Sequence, residues 1–397
     1  MSLWRSSDLV MEKNVKLDLL GSTGSIGEQT IDVVRQTGSQ IVSICANQND
    51  KRVEEQAREF KPAFCAMADE QAAKRLRLRL ADTGIQVFGG ASGIEEMIAK
   101  SDAEVTLNAV LGEAGLSPTL AAIQSGKALA LANKESLVVA GEIVMRLAEE
   151  HQTRITPVDS EHCAIHQCLT AGKRGDVKRL IVTASGGAFF GKTKETLADM
   201  TAAEALAHPT WSMGAKITVD SATLMNKGFE LIEASRLFDI EMDRIEAIIH
   251  RESIIHSMVE YIDHSVIAQL SVPDMRSCIA YGLFGGERRG AVIEELDLTK
   301  IGRLSFYEPD EENFPLLALA KKCGRIGGGM PAVLNATNEV AVEAFLGGRI
   351  RFGGIEEIVS EAVEALMPLA NACQLAEILA ADKSAREYAR ALLSKKG

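Results

Sequence analysis

Val15-Lys-Leu-Asp-Leu-Leu20-Gly21-Ser-Thr-Gly24-Ser-Ile-Gly27 is the stretch that decides the fold. Val15–Leu20 is an apolar run of strand length, and the glycines after it lead into a helix over about Glu28–Gln36. Glycines at such a turn permit a tight bend and let backbone N–H groups approach a pyrophosphate at the positive end of the helix. The spacing is G-x-x-G-x-x-G and not G-x-G-x-x-G, so by itself it also fits a strand-to-helix turn without a ligand.

Outward from this turn the alternation continues. Ile41–Ala46, Ala63–Met67, Glu104–Val110 and Ala128–Leu131 read as strands. Val53–Phe60, Glu70–Ala81, Gly93–Ala99, Ser117–Ser125 and Gly141–His151 read as helices. Strand–helix repetition predicts a parallel sheet covered on both faces. From about Arg154 the pattern changes. Strands are expected at Arg179–Thr183, Ile245–Ile249, Ser257–Tyr261 and Val266–Leu270, with one helix over Ala222–Phe238, which is an α+β pattern. Gly285–Pro309 is irregular. Pro315–Lys322, Ala332–Leu346, Gly354–Leu366 and Leu375–Leu393 are helical and suggest a small bundle. The expected division is a polar leader over 1–14 (or extra residues ahead of a start at Met11), a dinucleotide-binding domain over 15–158, a catalytic domain over 159–284, a connector over 285–312 and a helical domain over 313–397.

The 397 residues carry 43 basic and 55 acidic side chains, a net charge of −12. That balance argues against a general nucleic-acid or anionic-membrane binder. No apolar run reaches the roughly 18–20 residues of a membrane span. The seven cysteines include no CxxC pair and read as free thiols of a cytoplasmic protein.

At the second strand tip, where NAD enzymes place an acid, this chain has Ala46-Asn47-Gln48-Asn49, followed by Lys51 and Arg52. Amides and cations there favour NADP over NAD. Pro157-Val-Asp159-Ser160-Glu161-His162 follows the last strand of the first domain. In an extended segment Asp159 and Glu161 share a side and would be reconciled by a divalent metal; a solvated turn or a helix N-cap is the alternative, and for D-x-E alone the better one. The run Asp220-Ser221 to Glu230 shifts the balance. Asn226, Lys227 and Glu230 can share one helical face, with Ser221 ahead of the helix, a set suited to a phosphate beside a metal. Ala184-Ser185-Gly186-Gly187 could cradle an anion or simply turn the chain. His208-Pro-Thr-Trp211-Ser-Met213-Gly214 reads as a packing anchor more readily than as a lid. His151, His162, His166, His250 and His264 are taken as structural or solvated.

Together with Ala132-Asn133-Lys134-Glu135-Ser136, Ser253–Glu260, Pro273–Arg276 and Asn335–Glu339, these motifs make the chain resemble the 1-deoxy-D-xylulose 5-phosphate reductoisomerases from about Val15 to Phe352. The resemblance implies a Rossmann-like N-terminal domain, an α+β central catalytic and dimerisation domain, and a C-terminal helical bundle. It implies a cytoplasmic homodimer that rearranges and reduces 1-deoxy-D-xylulose 5-phosphate to 2-C-methyl-D-erythritol 4-phosphate, in the non-mevalonate route to isoprenoids. The cofactors implied are NADPH and Mn²⁺, Mg²⁺ or Co²⁺, with no nucleic-acid or membrane partner. Residue by residue, it makes Asp159, Glu161 and Glu230 metal ligands. Ser185, Ser221, Asn226 and Lys227 become a phosphate pocket with His208 nearby, while Lys134 and Ser160 touch the substrate backbone. Thr23, Gly24, Ser25, Ile26, Asn133, Glu135 and Gly214 become nucleotide contacts, and Ala46 to Asn49 the 2′-phosphate loop. Trp211 and Met213 fall on a flap over about 186–216, and His256 is a further active-site histidine. There are departures. Asn47-Gln48 replaces a usual Gly-Lys or Gly-Arg pair, Cys278 stands near a usual proline, and His250-Arg251-Glu252-Ser253 replaces His-Pro-Gln-Ser; the last two are expected to affect an interface more than the chemistry. Two other readings compete. An ordinary NADP-dependent sugar-phosphate dehydrogenase would need no carboxylate metal site, and a non-enzymatic dinucleotide sensor would not keep Asp159, Glu161, Glu230 and Lys227.

Overall fold

The computed structural model describes residues 14–211 and 213–396. Apart from Asn14, the expected leader lies outside them. Seven strands, β1 (Lys16–Leu20), β2 (Gln40–Ala46), β3 (Phe64–Met67), β4 (Gln86–Gly89), β5 (Val105–Asn108), β6 (Ala128–Leu131) and β7 (Ile155–Pro157), form one sheet. Their order is β4-β3-β2-β1-β5-β6-β7 and every pairing is parallel. Helices α1 (Ser25–Thr37), α2 (Asp50–Phe60), α3 (Glu70–Arg79), α4 (Gly90–Lys100), α5 (Leu116–Gln124) and α6 (Glu135–Glu150) connect them. This is the Rossmann-like arrangement anticipated from the alternation. Leu17, Leu19 and Ile44 have no exposed surface, and burying a side chain of that size contributes roughly 1.5–3 kcal/mol. The sequence pattern missed β4 and β7. Gln86-Val-Phe-Gly89 and Ile155-Thr-Pro157 hold too few apolar residues in a row to stand out.

A parallel sheet gathers every strand's carboxyl end on one edge, where doubly wound folds bind ligands. Here that edge releases the Gly21–Gly27 turn after β1, residues 109–112 after β5, Ala132–Lys134 after β6 and Asp159 after β7. Four distant motifs thus meet because one topology delivers them.

The second sheet contains β8 (Val177–Ala184), β9 (Ile245–Ile249), β10 (Ile255–Tyr261) and β11 (Val266–Leu270), in the order β11-β10-β8-β9. β10 is antiparallel to β8 and β11, while β9 is parallel to β8. Around it lie α7 (Ser160–Cys168), the short α8 (Lys194–Leu197) and α9 (Ala202–Ala205), α10 (Ala215–Ala222) and α11 (Met225–Phe238), while α12 (Met275–Leu283) packs on α1 and the parallel sheet. The one-turn α13 (Leu298–Ile301) lies in the irregular segment expected as a connector. Then come α14 (Leu316–Ile326), α15 (Met330–Leu346), α16 (Phe352–Ala365) and α17 (Leu375–Lys396).

Two expectations need correction. The helix read over Ala222–Phe238 is two helices, broken where buried Leu224 takes a left-handed φ of 59°. Nothing in the local sequence signals that break, because packing and not propensity imposes it. Ser221 therefore lies in the last turn of α10 and precedes only α11. Second, Asp159 and Glu161 do not share an extended segment. Asp159 is the N-cap of α7 and its carboxylate accepts the Glu161 N–H, while Glu161 is in the first helical turn. The C-terminal helices follow as expected and share a core with the second sheet: Val340 and Ile355 pack in the same cluster as Leu180 and Val182 of β8.

Candidate active site

A cavity of about 930 Å³ opens between the carboxyl edge of the parallel sheet and the second sheet. Gly24, Ser25, Ile26, Asn133 and Glu135 line one end; Asp159, Ser160, Glu161, Ser185, Ser221, Asn226, Lys227 and Glu230 line the other. Lys134, His208, Trp211, Met213, Gly214 and His256 also face it. Thr23 and Ala46–Asn49 do not line it.

The glycine turn is built for an anion. A Cβ at Gly27 would collide with the backbone of Gly21 and Ser22, so only glycine lets the helix start this close to the strand. Gly24 caps α1 without any side-chain hydrogen bond, which leaves first-turn N–H groups free for a pyrophosphate. At the neighbouring strand tip Asn49 caps α2, accepting the Arg52 N–H. Arg52 itself is held by Glu28 and Glu55, so of the two cations in that loop it is the exposed Lys51 that carries no ion pair among the described residues.

At the other end, one oxygen each from Asp159, Glu161 and Glu230 lie within 4.8 Å of one another. Two lysines reach between them. Lys134 Nζ is 3.1 Å from Asp159, 3.2 Å from Glu230 and 2.7 Å from Asn226 Oδ1. Lys227 Nζ is 2.8 Å from Glu161 and also donates to Glu230 and the Thr183 carbonyl. Burial works against the charge of Lys134, but the carboxylates, Asp159 first, outweigh it and hold its pKa well above the usual value. Asp159 is kept well below the carboxylate range because Lys134 and His162 offset its burial. Glu161 goes the other way: burial and then Glu230 push it up to about 7. Three crowded carboxylates, one of them poorly ionised, make an all-oxygen donor set that suits a hard divalent cation.

Around Ser185 the hydrogen bonds can be followed proton by proton. His208 Nδ1 accepts the N–H groups of Thr210 (3.2 Å) and Trp211 (2.9 Å). Its proton is therefore assigned to Nε2, which donates to Ser185 Oγ at 2.8 Å. Ser185 Oγ also accepts the Gly187 N–H at 3.2 Å. With both acceptor positions used, its hydroxyl hydrogen is left for the cavity. Burial, then Arg251, pushes His208 down to about 4, which keeps it neutral. His256 is likewise pushed down to about 4 by burial and pairs with Ser271 Oγ at 2.9 Å. Its ring tilts against Trp211 at 6.2 Å between centroids.

Some site residues escaped the sequence reading. His162, taken as structural, is fully buried with Nδ1 3.2 Å from Asp159 and 3.6 Å from Glu233. Burial disfavours its charge, yet Glu233 and Asp159 raise its pKa to about 9. The signal was there, since Glu233 follows Glu230 by three residues and His162 follows Asp159 by three, each pair on one helical face. His250 and Glu339 also line the cavity; both stand in motifs noted in the sequence, but neither was given a place in the site.

The chain is similar to known proteins along most of its length. Residues 17–141 match the model of the 1-deoxy-D-xylulose 5-phosphate reductoisomerase family, residues 155–238 that of its C-terminal domain, and residues 270–388 the DXP reductoisomerase C-terminal domain. The chain is 51% identical over 375 residues to the 1-deoxy-D-xylulose 5-phosphate reductoisomerase of Caldanaerobacter subterraneus subsp. tengcongensis, covering 94% of this chain and 97% of the other. It belongs to the 1-deoxy-D-xylulose 5-phosphate reductoisomerase family. The reductoisomerase of Bacillus thuringiensis subsp. konkukian is 47% identical, covering 96% and 99% of the two chains. Among solved reductoisomerases, that of Zymomonas mobilis in complex with NADPH superposes with a TM-score of 0.89 at 41% identity, covering 96% of this chain and 99% of that one. Another, in complex with NADPH, fosmidomycin and magnesium, gives 0.90 at 37% identity, covering 96% and 98%.

Proposed function

We propose that the chain carries out the family's reaction, the NADPH- and divalent-metal-dependent conversion of 1-deoxy-D-xylulose 5-phosphate to 2-C-methyl-D-erythritol 4-phosphate in isoprenoid biosynthesis, with the residues of this cavity in the roles below. The observation that carries the reading is that three convergent carboxylates share one cavity with an anion-ready glycine turn. Asp159, Glu161 and Glu230 hold the cation, Mg²⁺ or Mn²⁺ and by the same donor chemistry Co²⁺. The first turn of α1 holds the NADPH pyrophosphate, Asn133, Glu135 and Gly214 lie along the nucleotide, and Thr23 and Ala46–Asn49 with Lys51 face its ribose phosphate. When bound, the cation supplies Lewis acidity towards the substrate's oxygens and the nicotinamide supplies hydride.

The chain's own residues position everything else. Ser185, Ser221, Asn226 and Lys227 grip the substrate phosphate, with His208 orienting the Ser185 hydroxyl. That grip is remote from the reacting carbons, so its binding energy can hold them in place. Lys134 and Ser160 meet the substrate's polar backbone. Trp211 and Met213, with His256 behind Trp211, cover the substrate and exclude water. Residues 15–158 serve the nucleotide, 159–284 the chemistry, and 313–397 brace both.

The working state is a cytoplasmic homodimer. The seven cysteines are all unpaired and six are buried, which suits a reducing compartment. No helix among the described residues is long and apolar enough to cross a membrane. Edge strand β11 exposes Val266 and Ile267, beside exposed Ile262, a surface two copies can share; Ile267→Lys should shift a dimer to monomer in sedimentation.

The test of function follows NADPH absorbance with 1-deoxy-D-xylulose 5-phosphate and Mn²⁺, then with excess chelator, and identifies the product by NMR. Metal-dependent oxidation giving the branched methylerythritol phosphate is expected. Oxidation that survives chelation, or an unbranched product, would favour the plain dehydrogenase.

A further inference from the structure

Arg251 stands where the resemblance leads one to expect a proline, a departure that points to an interface more than to the chemistry. It lies instead behind the phosphate end of the cavity. Its Nη1 donates to the Ser185 carbonyl at 2.6 Å and to the Gly187 carbonyl at 2.9 Å. Its guanidinium lies over the Phe190 ring, 4.9 Å from the centroid, and Phe190 packs on Tyr307 at 5.2 Å. Its own carbonyl accepts a long bond, 3.5 Å, from Thr210 Oγ1. One residue therefore touches both the 185–190 turn and the His208–Trp211 loop. Among the described residues no carboxylate lies within ion-pair distance of it.

We propose that Arg251 is a positioning residue for substrate phosphate, a clasp that turns the carbonyls of the Ser185–Gly187 turn away from the cavity so that the Ser185 hydroxyl faces it. Two physical points carry this. Carbonyl oxygens repel a phosphate dianion, and a guanidinium that binds two of them from behind removes that repulsion. Gly187 has a left-handed φ of 67°, and a Cβ there would collide with the backbone of Ser221. The turn that Arg251 pins is thus pressed against a second residue of the same pocket, so a shift of one moves both hydroxyls.

The inference rests on the assignment of Ser185 and Ser221 to the phosphate, and the experiment separates the two. The full-length enzyme, with Mn²⁺ and NADPH, is titrated with its sugar-phosphate substrate to obtain kcat and KM separately, and then with inorganic phosphate as a competitive inhibitor. NADPH affinity and Tm are measured alongside. Arg251→Met should raise the substrate KM and the phosphate inhibition constant together, by about tenfold. The loss should fall on KM more than on kcat and leave NADPH affinity in place. Arg251→Lys, which can still reach a carbonyl, should recover part of the loss. Phe190→Leu, which keeps the arginine but removes its platform, should give a smaller change in the same direction and keeps the test usable if Arg251→Met folds poorly. Ser221→Ala is the control for the pocket. If it weakens phosphate inhibition while Arg251→Met does not, the clasp is wrong and the pocket stands; if Ser221→Ala has no effect, the pocket assignment itself fails. NADPH affinity falling in step with substrate affinity, or Arg251→Lys behaving as Arg251→Met, would mark a merely structural residue and overturn the proposal.

Discussion

The chain buries carboxylate and lysine together in two places, with opposite consequences. In the parallel sheet, fully buried Asp18 meets Lys127 at 2.8 Å. Ser43 donates to it at 2.7 Å and Ser101 also donates, while Lys127 finds a further acceptor in the Ile98 carbonyl. One acid, one base and hydroxyls close on themselves. At the cavity, Asp159, Glu161, Glu230 and Glu233 face Lys134, Lys227 and His162. Four acids outnumber two ammonium groups and an imidazole, and three of the acids border open space. His162 Nδ1 and Glu233 Oε2 also lack a well-formed hydrogen bond. A balanced, sealed cluster holds a fold together. A cluster with surplus carboxylate, open on one side, is kept for what it binds.

The sharpest way to break this distinction is to remove one acid from the open cluster. Glu230→Gln should cut NADPH oxidation at saturating Mn²⁺ about a thousandfold or more, with the protein still folded by circular dichroism. Near-normal turnover would mean the surplus carboxylate has no catalytic use. The matching change in the sealed cluster is Lys127→Met. It strands a buried carboxylate and should cost about 3–5 kcal/mol in denaturant unfolding, while kcat/KM per folded molecule holds. Lost activity without lost stability would erase the contrast.

The open cluster was legible in the sequence and the sealed one was not, for a physical reason. Asp159 and Glu161 sit two residues apart, and Asn226, Lys227 and Glu230 share one helical face, so local spacing exposes them. Asp18 lies in the middle of an apolar strand, and its partners are 25, 83 and 109 residues away; only the pairing of β1 with β2 and β5, and of β5 with β6, brings them together. The same limit hid Arg251, whose partners Ser185 and Gly187 are more than sixty residues distant. It also hid the break at Leu224, where packing overrides a continuous helical pattern. The strand-and-helix alternation that set the fold class is a local signal, and it missed β4 and β7, where too few apolar residues stand in a row.

Metal sharpens the comparison further. Mn²⁺ at a hundred times its Kd should stabilise the wild-type enzyme by about 2.7 kcal/mol, read as a rise in Tm. Lys127→Met should show the same increment from its lower baseline, and Glu230→Gln much less. A similar gain in all three would place the ion elsewhere. Signs should also reverse between the clusters. Burial and Glu230 already oppose ionisation of Glu161, so in chelator-treated protein at pH 8 Glu161→Gln should raise stability by about 1–2 kcal/mol. A loss there would mean the carboxylates hold the apo fold together and are not in surplus.

The smallest effect asks how far the sealed cluster is over-determined. Ser43→Ala removes one hydroxyl from Asp18 Oδ1 but leaves Ser101 on the same oxygen and Lys127 on the other. Because the charge keeps its ammonium partner, the change should cost only about 1 kcal/mol, against the several kilocalories of Lys127→Met. Denaturant midpoints of the two variants and their double mutant measure this directly. If Ser43→Ala cost as much as Lys127→Met, the hydroxyls would be holding the carboxylate and the lysine would be incidental. A double mutant no worse than Lys127→Met alone would mean that Ser43 supports Asp18 only while the lysine holds the carboxylate in place.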